Sequence, residues 1–579
     1  MWPSFLRAAQ VAPLKKFVQA VLAALALTSL QPQPRVPDGA VYDFIVVGAG
    51  TAGAIVATRL AEDPSQRVLL VEAGGPAPAQ SEIPGLFPLI AGSEYDWQYE
   101  AYTALNVLRA QKGKVQLERG KLLGGCSSAN YMLHALGSRA DYGPWVAAAG
   151  PLWQWEHVWQ HLKKFEAVQD QNILNSHYGH LRGMDGEVKV TRQVHRDYTL
   201  KYFQAIFEMG QKISHDYNSC PQPSFSEGQY TIFEGERQST AATYLAAHHP
   251  NLDVLTHTRV SRVLFDENKV AVGVEALTKD GSKSTFRARK EVILSAGAIN
   301  TPQILMLSGI GPKRHLEQFD IDVISDLPVG ENLQDHILVP LLLTDDNTTR
   351  PDPTTIFEFP APTIVGFAAL NETQSQPDYE VMSYPLVRGS KVMLLMCSGF
   401  GLRDEICDRF DAAAAGNSTL LASIVLLHPE SRGRVRLHSS DPTHPPSIYM
   451  GYYDNPVDLE RHTAYTEHFL RILNTTHFKR VRSEVVNVEL EECALEEFGS
   501  HEYWSCYARH MATTLFHPVG TAPLGAVLGP RLRVRGAACL RVVDAAAMPT
   551  LPSGNTNAPV ALLAEHAALL IKQDYGIEH

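Results

Sequence analysis

Tyr42-Asp43-Phe44-Ile45-Val46-Val47-Gly48-Ala49-Gly50-Thr51-Ala52-Gly53 reads as an apolar strand, a glycine turn and the opening of a helix. The helix pattern runs on through Leu60, Glu62-Asp63-Pro64-Ser65 makes a polar turn, and Arg67-Val68-Leu69-Leu70-Val71 is a second strand closed by Glu72. Together these form a βαβ unit. Each part has a physical task. Gly48 permits the tight turn, Gly50 lets backbone approach a pyrophosphate, and Gly53 lets the helix pack on the strand. The helix start, with Thr51 and Ala52, attracts phosphate, and Glu72, 19 residues past Gly53, is placed to accept bonds from ribose hydroxyls. The fingerprint implies a dinucleotide without separating NAD from FAD.

Around this unit lies a chain of 579 residues, 45% hydrophobic and 19% charged, so it can bury a large core and is neither disordered nor collagen-like. Its net charge of −12 provides no basic footprint for nucleic acid. Length alone suggests about four domains, although α/β enzymes of this size often consist of two interleaved lobes. From about Asp335 to Trp504, short apolar stretches alternate with Pro-containing loops, which we read as a second lobe. At the carboxyl end, Ala558 to Gln573 predicts a helix with Pro559 in its first turn and apolar residues on most faces.

The amino terminus has the shape of a secretory signal peptide: Arg7, Lys15 and Lys16, an apolar run from Phe17 to Leu30, then Gln31-Pro32-Gln33-Pro34. The run is short for a bilayer span, and no stable membrane span is expected elsewhere. Asn-x-Ser/Thr acceptors stand at Asn347, Asn371, Asn417 and Asn474. The seven cysteines contain no Cys-x-x-Cys pair, so a metal site has little support. Cys493 with Cys506 is the first disulfide expected and Cys397 with Cys407 the second. All of this suits a secreted or luminal protein.

Further segments resemble a known family. Arg119-Gly120-Lys121-Leu122-Leu123-Gly124-Gly125-Cys126-Ser127-Ser128-Ala129-Asn130 is similar to the first signature of the glucose-methanol-choline (GMC) oxidoreductases, which depend on FAD. Gly297-Ala298-Ile299-Asn300-Thr301-Pro302, running to Gly311, resembles the second signature; Phe516-His517-Pro518-Val519-Gly520-Thr521 and Gly554-Asn555-Thr556-Asn557-Ala558-Pro559 match the carboxy-terminal motifs. The likeness continues through Asp96-Trp97, Leu327 to His336 and Ser431 to Val435, and is similar in flavour to the insect glucose-dehydrogenase-like branch.

The resemblance implies an α/β fold, a Rossmann-like FAD-binding lobe interleaved with a second α+β substrate-binding lobe. After a signal peptide and spacer at 1–36, the FAD lobe would occupy 41–155, 236–335 and 511–579, and the substrate lobe 156–235 and 336–510. It implies that Arg119, Leu123, Gly125 and Asn130 lie along the flavin and pyrophosphate, that Val260 holds the adenine by a backbone group, and that Phe516, Asp544, Thr556 and Asn557 also meet the cofactor. Asp544 would lie near the ribityl chain or cap a helix. Cys126 departs from the usual Ser or Thr. Ala129 stands where some members carry a histidine joined to the flavin, which implies non-covalent FAD.

Oxidising an alcohol requires a base beside the hydride acceptor. The resemblance assigns His517 that role and gives Asn555, 38 residues on, the partner position; an amide cannot be the base but can hold the substrate oxygen. A helix beginning at Thr556 and Asn557 would favour negative charge at the flavin's pyrimidine side. The implied function is oxidation of a small-molecule alcohol, a sugar or an apolar steroid, retinoid or aryl alcohol, to an aldehyde, ketone or lactone. Electrons would pass to oxygen or a quinone-like carrier. The alternative is a catalytically silent flavoprotein that binds a small apolar ligand; retention of both His517 and Asn555 argues against it. The apolar stretches at 357–367 and 392–396 are read as core or as pocket wall.

Overall fold

The computed structural model describes residues 36–111, 114–219, 223–346, 362–371, 373–390 and 392–578. The signal-peptide reading, Asn347 and Cys220 lie outside the described residues.

A strand covered on both faces needs an unbroken apolar run, and β1 (Val41–Val47) has one. It lies inside a seven-stranded sheet with β2 (Val68–Val71), β3 (Leu252–Leu255), β4 (Arg259–Phe265), β5 (Ala271–Leu277) and β6 (Lys283–Leu294), in the order β3-β2-β1-β6-β5-β4. The twelve-residue β6 changes partners along its length. Its first half pairs antiparallel with β5, and its last residues pair parallel with Leu540–Val542. Val47 is level with Val71 and with Leu294, which is level with Val542. The parallel strands therefore all end at one edge, where Gly48, Glu72, Ser295 and Val543 emerge. In an open α/β sheet this edge is where ligands bind.

The fingerprint folds as expected. Helix α1 (Thr51–Ala61) follows β1 directly, and a Cβ on Gly53 would stand 1.8 Å from the Gly48 carbonyl oxygen, so no other residue allows helix and strand to pack this closely. Gly48 has φ +96°, and its Cβ would fall 2.5 Å from the Ser295 oxygen. Helix α2 (Gly297–Leu307) starts at the same edge, just past β6.

The second lobe is built on β7 (Ile337–Thr344), β8 (Ile364–Ala368), β9 (Tyr379–Leu386) and β10 (Thr419–Leu426). With Thr513–Thr514 and Phe225–Glu227 they form an antiparallel sheet in the order Thr513–Thr514, β7, β10, β9, β8, Phe225–Glu227. Helices α3 (Pro456–Leu470) and α4 (His501–Met511) pack against it. Their polar groups meet strand carbonyls: Tyr507 Oη donates to Pro340 at 2.8 Å and His462 Nε2 to Ile424 at 2.9 Å.

The carboxy-terminal helix α5 (Asn557–Tyr575) returns to the first lobe and is buried on most faces because it lies beside α1. Thr51 meets Asn557, Arg59 meets Glu565 and Glu62 meets Lys572, an advance in the same order along both helices, so the two run side by side in the same direction. Cys397 pairs with Cys407 and Cys493 with Cys506. Among the described residues Cys126 and Cys539 are free.

The two cores cross the boundaries expected from sequence. Phe87, Leu108 and Met132, placed in the first FAD-lobe segment, pack in the core of the second lobe. Val158, Leu162 and Val188, placed in the substrate lobe, pack in the dinucleotide core. The reason is physical: connecting segments bury their apolar residues on whichever sheet they pass over.

Candidate active site

The strand ends open into one cavity lying between the lobes. Gly48, Gly50, Thr51, Ala52, Glu72, Arg119, Gly125, Asn130, Val260, Phe516, His517, Asp544, Asn555, Thr556 and Asn557 all line it. Of the residues expected at the site, Gly53 and Leu123 do not. Gly53 works through packing, and Leu123 donates its backbone N–H to Gly75 and leans on the dinucleotide core.

The nucleotide end is formed by backbone. A Cβ on Gly125 would lie 2.7 Å from the Gly50 Cα, so the two glycine segments make a cradle that no side chain could share. The starts of α1, α2 and α5 all reach the cavity, and three helix amino termini make a positive region suited to phosphate and to a flavin gaining charge. Glu72 is buried, and its carboxylate accepts from the Ala49 and Gly74 N–H groups, both at 2.8 Å. Burial pushes its pKa up while these bonds oppose the rise. Each oxygen keeps a lone pair for a ribose hydroxyl.

Asp544 is both a cap and a cavity residue. Its carboxylate accepts from Ala546 N and Gly297 N at 2.8 Å and from Thr301 Oγ1 at 2.6 Å, and burial raises its pKa to about 6. Asn557 Oδ1 accepts from Thr51 Oγ1 at 2.7 Å, tying the first turns of α1 and α5 together. Cys126 takes part in the loop through its backbone, its carbonyl accepting from Asn130 N at 2.8 Å. Ala129 lines the cavity and brings no nucleophile to it.

At the other end stand His517 and Asn555. His517 sits just beyond the edge strand Thr513–Thr514, after Phe516, whose left-handed φ of +61° turns the chain. Thr514 Oγ1 accepts from Phe516 N at 2.8 Å, Arg119 donates to the Phe516 carbonyl, and Asp335 Oδ1 accepts from His517 N at 2.7 Å, so this strained turn is held on three sides. Asn555 Nδ2 lies 3.2 Å from His517 Nε2, and Asn555 Oδ1, buried, has no partner among the described residues. The other ring nitrogen, His517 Nδ1, is 2.9 Å from His336 Nδ1. Burial, then the His336 ring and the Arg119 charge, hold the His517 pKa well below the ordinary histidine range. The imidazole is therefore neutral at pH 7, as a base must be.

Phe87, Tyr131, Leu338, Met382, Met396 and Phe400 supply an apolar wall. The Tyr131 ring meets Phe87 at 4.4 Å and Phe516 at 6.5 Å. Met396, in the 392–396 stretch, lines the cavity, whereas Ile364 and Val365 are core. Trp97 also lines the cavity, with Lys121 and Arg259 each 5.1 Å from its ring.

Sequence reading missed two supports. Arg237 is fully buried and donates to the carbonyls of Ser81, Ser127 and Asn130, bracing the 124–130 loop from behind. His336 closes a motif quoted for its resemblance, but its partner is 181 residues away.

A sheet edge built for a dinucleotide, facing buried His517 and half-buried Asn555 across one cavity, is the arrangement of a dinucleotide-dependent oxidoreductase. Residues 42–338 and 429–564 match the amino- and carboxy-terminal domains of the GMC oxidoreductases, and the chain belongs to that family. It is 38% identical to ecdysone oxidase of Spodoptera littoralis over 94% of this chain and 93% of that one. It is 32% identical to glucose dehydrogenase [FAD, quinone] of Drosophila melanogaster, over 92% and 87%. A formate oxidase from Aspergillus oryzae RIB40 superimposes with a TM-score of 0.79 at 26% identity, covering 93% of this chain and all of the other. The protein is an FAD-dependent alcohol oxidoreductase of the insect GMC branch. The glycine cradle and converging helix starts fit that cofactor.

Proposed function

We propose that the protein oxidises an apolar secondary or primary alcohol, with His517 as general base and Asn555 holding the substrate oxygen. The observation that carries this reading is a neutral His517 with Nε2 facing an amide inside the cavity that also holds the nucleotide loops. FAD, when bound, supplies the hydride acceptor. His517 Nε2 takes the hydroxyl proton, the carbon gives up its hydride, and a carbonyl product leaves. Asn555 keeps the oxygen in line, and the apolar wall beside it lowers the polarity around the O–H. With Ala129 at the family's attachment position, the cofactor is held without a covalent bond. The wall of Phe87, Tyr131, Met382 and Phe400 supports a bulky apolar alcohol of the steroid class, to which ecdysone belongs, over a sugar.

We extend the reading to a secreted or luminal protein. Two disulfides and the surface-exposed acceptors Asn371 and Asn474, with the amino-terminal apolar run, support it. No described helix is long and apolar enough to cross a membrane.

The test is an anaerobic titration of the yellow protein with sterol, retinoid, aryl and sugar alcohols. A steroid alcohol should bleach the flavin bands fastest, and readmitting oxygen or adding a quinone should identify the acceptor by which restores them. A protein that no alcohol bleaches would favour the silent flavoprotein.

A further inference from the structure

A general base must present a bare nitrogen, and a neutral imidazole has one nitrogen with hydrogen and one without. Partners decide which is which. The chain of partners around His517 starts from a group whose role is fixed: the Leu427 carbonyl can only accept. His336 Nε2, 3.1 Å from that oxygen, therefore carries a hydrogen. His336 is fully buried, and burial together with nearby His428 lowers its pKa to about 3, so the ring is neutral and its Nδ1 is bare. His517 Nδ1 stands 2.9 Å away, a contact that needs one hydrogen between two nitrogens, and only His517 can supply it. His517, itself neutral, is left with a bare Nε2. That is the nitrogen beside Asn555.

We propose that His336 is a positioning residue that fixes His517 in the tautomer whose Nε2 is free to take the substrate proton. The inference rests on His517 being the base. The second sheet sets the geometry. Ile337 pairs with Leu426, so His336 and Leu427 are the next positions beyond that rung, and the Leu515 N–H donates to the His336 carbonyl at 3.0 Å. Orienter and base thus hang from adjoining strands of one sheet.

A carboxylate usually orients a catalytic histidine. Asp335 is the nearest one, but its oxygens are occupied by His517 N, Thr514 Oγ1 and the Tyr452 hydroxyl. An ionised carboxylate against His517 Nδ1 would raise the base's pKa. A neutral imidazole does not, so His517 stays unprotonated further into acid. The other groups that bear on the pair are Arg119, held at the Phe516 carbonyl, His428, and Asn555. Once Nε2 takes the proton, the Nδ1 hydrogen remains bonded to His336 and the positive ring keeps an acceptor.

The experiment combines three variants with a direct reading of the tautomer in the holoenzyme. His336→Leu should retain FAD and bleach with alcohol about 10²-fold more slowly or worse. His336→Asn, whose Oδ1 can accept from His517 Nδ1, should recover to within about tenfold of wild type. His336→Asp should move the acid limb of the rate profile upward by about one pH unit or more. Nitrogen-15 NMR of histidine-labelled holoenzyme should find His517 with hydrogen on Nδ1 and none on Nε2. A wild-type rate and profile in His336→Leu, or hydrogen on Nε2 in the spectrum, would overturn the proposal. If His336→Leu fails to fold, the spectrum of the unmutated protein decides alone. The spectrum needs no turnover, so a fully active His517→Ala would sink the base assignment without being confused with this result.

Discussion

Glu380 lies on β9 two residues before Met382 and four before Tyr384, both cavity residues, so its side chain shares their face of the sheet. It is fully buried, neither carboxylate oxygen has a partner among the described residues, and burial pushes its pKa to about 8. It is protonated in the folded protein at neutral pH. For an acid raised in this way, the stability contribution is complete below the unfolded value of 4.5, falls as pH rises and stops falling above about 8. Glu380→Gln, which mimics the protonated acid, should lack that slope and gain about 1–3 kcal/mol on wild type between pH 5 and pH 8. Urea unfolding of both proteins at the two pH values checks this; parallel losses would show that Glu380 ionises freely. At this scale the sequence was informative only where a motif carried the residue. His517 and Asn555 stood in such motifs, and Asp544 was expected only from the family resemblance. Glu380, Arg237 and the partner of His336 acquire meaning only when strands far apart in the chain are in register.

Among elements, the parallel pair α1 and α5 supplies two of the three helix starts that make the site positive. The glycine turn announced α1, and the apolar run after Pro559 announced α5, but nothing in either said that they lie side by side with their positive ends together. Thr51 and Asn557 make that joint. Asn557→Ala should weaken FAD binding about three- to tenfold, the loss of roughly one net hydrogen bond. Thr51→Val should cost the same, and the double variant no more than either. Fluorescence titration of apoprotein with FAD measures all three, and additive losses would mean that the two residues act separately. The second sheet was legible only as a lobe, because its strands are buried on both faces and so lack the apolar–polar alternation that marks a half-exposed strand, and polar Glu380 and Ser383 interrupt β9.

Over the whole molecule, the chain enters the dinucleotide sheet three times, and the second lobe's sheet takes its strands from the two stretches between those visits. The active site exists because of this threading. The nucleotide loops come from one lobe, the base stands just past an edge strand of the other, and Asn555 arrives from the start of α5. Motif order along the sequence revealed the two lobes, whereas the exact sharing of core residues between them did not follow, since it depends on surface that each connection crosses.

The most direct test of the account is the rate of flavin bleaching by the preferred alcohol in anaerobic single turnovers, measured from pH 5 to pH 9 in wild type and His517→Ala. With the His517 pKa held well below the usual 6.5, the wild-type rate should be level through neutral pH and fall only on the acid side. His517→Ala should keep its flavin spectrum, bleach about 10²- to 10⁴-fold more slowly and lose the acid limb. A variant that bleaches as fast as wild type would contradict the assignment of His517 as the base.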